Sequence, residues 1–459
     1  MTRSLLVLAL LALAGLGSIV SAPLARAQAT IESATVENEY PRQLRFKLTA
    51  SAPVDIVDVT LNYRIPGRGT SALGKPSEIT PAKNLSTEVV VQVNSGSSYI
   101  PVGSEFHWQW QIETADGEVT LGPEETFFFM PPGKDWKFVD NDFMVVYYHG
   151  DRENLATQYL KSGEDTYQRI GKDLLGVELT QLPVRVILFE DAEELAEARP
   201  GRGTTFDAAV TTCGTKVTND IVLVIPVSCG TPDRTDTLRH EFGHIINEAA
   251  GDGPLASLPS WLDEGTAVIA QSTPGNNYTG AFEAAARSNR LIPFAQMVSP
   301  SNEAGQVNLF YGQAYAMTLY LIEKGGPEQF AEFFATIKSG TRFDAAIEQI
   351  YGLTIPEFEA EFLEAVGAQP SARPTAAPTA RPQQQQPTPA PTRPSTSQSN
   401  SDDDGIDRVM VAIIGLSVLF ALIAVFMYLF STMLAANRRN AAQDEAGAHE
   451  PPDFGDPPA

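Results

Sequence analysis

Between residues 409 and 436 the chain carries no charged side chain. A run that long is suited to a helix across the roughly 30 Å hydrocarbon layer of a membrane, or else must be enclosed by a large domain. Only a short polar segment follows it, so no domain can form around it and a transmembrane helix is expected. Arg438 and Arg439 follow the run, while Asp402, Asp403 and Asp404 precede it. This bias places residues 437–459 in the cytoplasm and everything before the helix outside. The N-terminus agrees: Arg3, an apolar run over residues 5–20 and the small residues around Ala25-Arg26-Ala27 form a secretion signal over residues 1–27. The expectation is a single-pass type I protein of the cell membrane, with the lipid bilayer as one partner and an extracytoplasmic body.

Residues 369–408 are dominated by Pro, Thr, Ala, Gln and Ser. Such a segment cannot bury enough apolar area to fold and favours extended polyproline geometry, so a disordered stalk is expected. Folded material is thereby confined to residues 28–368. The 459 residues include 43% hydrophobic and 9% aromatic side chains, ordinary values for globular protein, and the length suits two or three folded units. A formal net charge of -24 argues against nucleic acid as a partner, because phosphate binding needs clustered Lys and Arg.

Residues 28–132 read as an all-β sandwich of immunoglobulin-like or fibronectin-like type. Short alternating segments such as Leu44-Arg45-Phe46-Lys47-Leu48 and His107-Trp108-Gln109-Trp110-Gln111-Ile112 are separated by Gly, Pro, Ser and Asn. After Pro131-Pro132-Gly133 strands alternate with helical patterns. Strands are expected at 143–148, 184–189 and 221–225, helices at 153–174 and 192–198, and nearly continuous helix from Asp233. Residues 133–368 therefore form a mixed α/β domain with a mainly helical second half, and the chain as a whole is α+β. Cys213 and Cys229 lie in the exported region, where an oxidising compartment favours a disulfide contributing about 3 kcal/mol.

His240 and His244 are four residues apart, so on a helix both imidazoles project from one face and can share a metal ion. Asp233, Thr235 and Asp236 are capping candidates, and Leu238, Phe242, Ile245, Ile246 and Ala249 supply an apolar face to anchor the helix. Glu241 then sits beside the metal as a candidate general base. Catalytic zinc takes three protein ligands and keeps one position open. Glu248 lies about 12 Å along the axis from His240, too far for one ion. Asp263 and Glu264 remain, within Pro259-Ser260-Trp261-Leu262-Asp263-Glu264-Gly265-Thr266-Ala267, which reads as a second helix capped by Ser260. Adjacent helical residues point about 100° apart, so only one of the two can face the metal.

The pair HEFGH and WLDEGTA resembles the gluzincin metallopeptidases, specifically the peptidase-MA-like group related in plan to thermolysin. The resemblance spans roughly residues 145–366 and is most specific over the two motif helices. It implies a zincin-like domain holding one Zn2+ by His240, His244 and Glu264, with Glu241 as catalytic base and Asp263 a neighbour. The metzincins are set aside because Asn247 and Ala250 stand where they carry Gly and His. The resemblance further implies an edge strand that pairs with extended substrate, a place taken here by residues 218–226. It also implies an oxyanion-stabilising side chain outside the zinc motifs, for which Tyr311 is the candidate with Tyr315 behind it. Ala267 departs from members that carry Asp at this position, which leaves the partner of a ligand histidine unidentified.

The function these features lead one to expect is zinc-dependent peptide-bond hydrolysis at the extracytoplasmic face, of the endopeptidase type, on a peptide or protein substrate. The alternative is a surface binding or adhesion protein whose zinc domain is structural or degenerate.

Overall fold

The computed structural model describes residues 28–68, 71–94, 99–200, 212–300 and 304–369. The expected signal peptide, transmembrane helix and cytoplasmic tail lie outside these residues, as does the expected stalk beyond Gln369. Among the described residues no helix is long and apolar enough to cross a membrane.

The N-terminal region is a seven-stranded antiparallel sheet. Its strands are β1 (Thr30–Glu39), β2 (Gln43–Arg64), β3 (Ser71–Gly74), β4 (Ala82–Gln92), β5 (Glu105–Thr114), β6 (Val119–Leu121) and β7 (Glu125–Phe128). The long β2 organises it. Its first half pairs with β1 and β4, its second half with β5 and β3, with register shifts near Ile56 separating the two. Alternation along β2 and β5 sends Leu44, Phe46, Leu48, Phe106, Trp108 and Trp110 into the interior, as a two-residue period demands. Gly117 adopts φ +78° in the turn after β5, a conformation costly for a side chain with Cβ.

A five-stranded mixed sheet follows, in the order β11-β12-β10-β9-β8. It comprises β8 (Trp136–Asp140), β9 (Met144–His149), β10 (Val184–Leu188), β11 (Gly214–Thr218) and β12 (Ile221–Val224). The three inner strands are parallel, while β8 and β11 lie antiparallel at the edges. Between β9 and β10 runs α1 (Glu153–Thr166), continued by a π-helical turn over Tyr167–Leu174, and α2 (Ala192–Ala198) follows β10. The second half is helical: α3 (Asp236–Gly251), α4 (Ser260–Ala270), α5 (Asn276–Arg287), α6 (Ala304–Lys338), α7 (Phe343–Tyr351) and α8 (Ile355–Ala365). Helix α6 breaks at Gly326 (φ 76°), next to Pro327, where a left-handed glycine ends one helical run and proline opens the next.

The two sheets belong to one compact unit. Residues of β10 and β12 alternate between two interiors. Val184, Val186, Leu188, Val222 and Val224 face the helical core. Ile187, Ile221 and Leu223 join a cluster with Phe106, Trp110 and Phe129 of the N-terminal sheet. Both faces of the mixed sheet are therefore covered, by helices on one side and by the N-terminal sheet on the other, which is why its inner strands are predominantly apolar and β12, Ile-Val-Leu-Val, is apolar throughout.

Candidate metal centre and active-site cleft

Helix α3 is anchored through Leu238, Phe242, Ile245 and Ile246, all essentially inaccessible to solvent. Of the expected capping candidates, Thr235 makes no side-chain cap, while the Asp233 carboxylate accepts from the Thr235 amide and hydroxyl, both at 2.9 Å. The main-chain carbonyl of Asp233 accepts from the Asp236 amide. The buried Asp236 carboxylate accepts from the Ser272 amide (2.7 Å) and hydroxyl (2.8 Å), joining the beginning of α3 to the end of α4. Ser260 is the first residue of α4 rather than its cap, and the Pro259 carbonyl receives the first amides. The two helices run antiparallel and very close. A Cβ on Gly243 would stand 3.1 Å from the Ala267 Cα, so Gly243 and Ala267 are small because the backbones nearly touch.

This approach brings Glu264 over the histidine pair. His240 Nε2 lies 3.3 Å and His244 Nε2 3.5 Å from Glu264 Oε2, an oxygen that is buried without a hydrogen-bond partner. Two donors each about 2.0–2.1 Å from one tetrahedral zinc ion stand roughly 3.3–3.4 Å apart. The three ligand atoms thus fit a shared ion, and these residues form one of the described clusters able to hold a metal. Glu248 does not join them: it pairs with the Lys216 ammonium.

Asp263, which sequence left as a neighbour, supplies the missing partner of a ligand histidine. Its Oδ2 lies 2.9 Å from His244 Nδ1, and its Oδ1 and main-chain carbonyl both accept from the Asn247 amide at 2.9 Å. Burial alone disfavours the His244 imidazolium, but Asp263 and Glu264 outweigh it and push its pKa up to about 10. Burial likewise acts to raise Asp263, and the adjacent His244 overrides it to leave the carboxyl below its usual range. This is carboxylate–histidine support for a metal ligand, placed one residue before Glu264 rather than at Ala267.

Glu241 Oε2 accepts from the main-chain amide of Lys216 at 2.8 Å. Lys216 belongs to β11, so the edge strand is Gly214–Thr218 and the expected 218–226 assignment is displaced: the strand within that range is β12, Ile221–Val224, paired on both sides. Gly214 lets the strand approach, since a Cβ there would lie 3.2 Å from the Glu241 Cγ. The Cys213–Cys229 disulfide joins the start of β11 to the loop before α3.

A cleft of about 560 Å³ opens over these groups, with His240, Glu241, His244 and Glu264 along it and Tyr278 and Tyr311 on its wall. The Tyr311 ring meets the His240 ring edge-on at 6.0 Å, and Tyr278 stacks on Tyr311 at 5.1 Å. Burial, then Glu264 and Glu241, raise the Tyr278 pKa, keeping it a protonated donor. Sequence reading missed Tyr278, whose loop-to-helix segment carries no local signal. Tyr315 is not among the residues lining the cleft.

Two histidines and a glutamate around a shared point, a second glutamate beside them and an open cleft define a metal-dependent hydrolase. Residues 164–367 match the family model described as Peptidase MA superfamily. The matched stretch contains both motif helices and is similar in sequence to that superfamily, in agreement with the gluzincin-like resemblance of the two motifs. No curated protein matches the chain. Among solved structures, an M1 zinc metallopeptidase variant from Deinococcus radiodurans bound to a Tyr-Ser-Ala substrate is 11% identical, covering 73% of this chain and 92% of its own, with a TM-score of 0.29. Catalytically inactive OgpA from Akkermansia muciniphila, in complex with an O-glycopeptide substrate, is 10% identical over 23% of this chain and 29% of its own, TM-score 0.18. A Br derivative of BhCBM56 is 12% identical over 21% of this chain and 88% of its own, TM-score 0.16. Likenesses this low decide nothing about the fold.

Proposed function

We propose that the protein is a zinc-dependent endopeptidase in which His240, His244 and Glu264 hold one zinc ion and Glu241 is the general base. The observation that carries this reading is the spacing of 3.3 and 3.5 Å from both histidines to a buried, otherwise unpartnered Glu264 oxygen. A zinc ion bound there supplies Lewis acidity toward the scissile carbonyl and acidifies water. Glu241, steadied by the Lys216 amide, takes a proton from the attacking water and passes it to the departing amine. Tyr311 or the stacked Tyr278 donates a hydrogen bond where negative charge develops on the carbonyl oxygen. An extended segment paired with the edge strand β11 can continue past the site in both directions, which favours cleavage within a chain.

The apolar run 409–436 and the N-terminal signal 1–27 support an extracytoplasmic catalytic unit anchored by one membrane span, with residues 437–459 in the cytoplasm. The N-terminal sheet is read as an immunoglobulin-like or fibronectin-like accessory module. The reading is tested with zinc-loaded full-length Glu241→Gln. Zinc stoichiometry should match wild type while peptide cleavage falls at least about 100-fold; undiminished cleavage at full occupancy would remove Glu241 from the mechanism.

A further inference from the structure

The cleft has a second end that the chemistry above does not use. Where α3 begins and α4 stops, its lining is Thr212, Thr231, Thr237 and Gln271, beside the Cys213–Cys229 disulfide. Gln271 is 9% exposed. Its amide donates to the Val268 carbonyl and its carbonyl accepts from Arg169, so the main chain is held. Yet Gln271 Oε1 and Thr212 Oγ1 are both buried with no hydrogen-bond partner among the described residues. Buried polar atoms are rarely left in that condition, because desolvation is then uncompensated. Charge at this end is already balanced: Asp236 is 1% exposed, and Ser272 and Arg239 surround its carboxylate. Neither a cationic nor an anionic group would find a free counter-charge here.

We infer that this end is a substrate subsite selecting a neutral hydrogen-bonding side chain, an amide or a hydroxyl, on a residue beside the cleaved bond. Gln271 and Thr212 are its specificity-determining groups. The inference rests on the peptidase reading and adds the substrate class to it. A leucine or valine entering the subsite would leave both oxygens unpaired, whereas Asn, Gln, Ser or Thr would satisfy at least one. Sites built to hydrogen-bond a side chain reject analogues lacking it far more strongly than apolar pockets reject a missing methylene.

The test uses the zinc-loaded full chain and peptides varied one residue at a time around the cut. At one flanking position, kcat/KM should favour Asn, Gln, Ser or Thr over Leu or Val by at least about 10-fold. Gln271→Leu should abolish that preference, lowering kcat/KM for the Gln peptide and raising it for the Leu peptide, and Gln271→Glu should turn the preference toward Lys and Arg. An aliphatic preference in the wild type, or a polar preference that survives Gln271→Leu, overturns the inference, the latter meaning that ordered water satisfies these atoms. If the wild type cleaves none of the peptides, the peptidase reading itself fails. The subsite is then read by equilibrium binding of the same peptides: loss of Gln-over-Leu selectivity in Gln271→Leu supports it, and equal wild-type affinities overturn it.

Discussion

At the scale of single residues, the centre depends on two adjacent acids doing different work. Glu264 faces both histidine Nε2 atoms while Asp263 holds His244 Nδ1 from behind. Replacing Asp263 with Asn keeps size and hydrogen bonding but removes the charge that orients and enriches the ligand. Zinc affinity should fall about 10- to 100-fold, measured by competition with a chromophoric chelator, with kcat at saturating zinc changing less than affinity. The two tyrosines on the cleft wall can be separated the same way. If Tyr311 supplies the oxyanion donor, Tyr311→Phe should lower kcat by roughly 100-fold or more, whereas Tyr278→Phe should change it only modestly; steady-state kinetics with KM unchanged in both would support this division, and the reverse pattern would transfer the role to Tyr278.

At the scale of elements, the site is an antiparallel helix pair resting on a third helix, with an edge strand alongside. Gly265 follows Glu264, the proposed third ligand, and a Cβ there would run into the Ala314 carbonyl and the Thr318 hydroxyl of α6. That backbone cannot retreat without moving Tyr311, three residues earlier on the same helix. Gly265→Ala should therefore cost about 1–3 kcal/mol of stability, seen as a lower denaturation midpoint, and should weaken zinc binding because α4 is displaced. A variant with unchanged midpoint and affinity would show that α4 and α6 are loosely apposed. Much at this scale was legible beforehand: α2 falls on residues 192–198, and β10 and β12 start where their β-branched runs start. β11 was not, because Gly-Thr-Lys-Val-Thr is short and weakly alternating, and being an edge is a property of pairing rather than of composition.

At the scale of the whole molecule, the N-terminal sheet and the catalytic half share an interior, and a polar junction lies beside it. Glu194, at the start of α2, accepts from the Glu190 amide (2.9 Å), lies 3.0 Å from His149 Nε2 at the end of β9, and pairs with Lys134 in the segment joining the two sheets. Burial pushes its carboxyl upward, but the Glu190 amide, Lys134 and His149 outweigh that and hold it at about 2, against an ordinary 4.5. A depressed carboxylate stabilises the fold above its unfolded value and loses that contribution as pH falls through the folded one. Glu194→Gln should thus lower stability by roughly 2–3 kcal/mol at neutral pH. The gap to wild type should close as pH drops from about 4.5 toward about 2, followed by denaturant midpoints across that range. A gap that persists at the acid end would mean the junction is held by something other than this carboxylate.

The sequence by itself determined most of the strongly patterned helices and strands, where charge is missing, and that His240, Glu241 and His244 share a helical neighbourhood, because local periodicity and spacing encode these directly. By residue pattern alone it left Asp263 and Glu264 as equals. Only the tertiary structure separates them, setting Glu264 against both histidine Nε2 atoms and Asp263 against His244 Nδ1, since the orientation of two adjacent side chains depends on how α4 is rotated against α3, and the Gly243–Ala267 contact sets that rotation. The same holds for Tyr278, Gln271 and the Lys216 amide: each reaches the cleft through long-range packing, which no window along the chain records. The shared interior is of this kind too, for the alternation in β10 and β12 shows that both faces are apolar but not what covers each one.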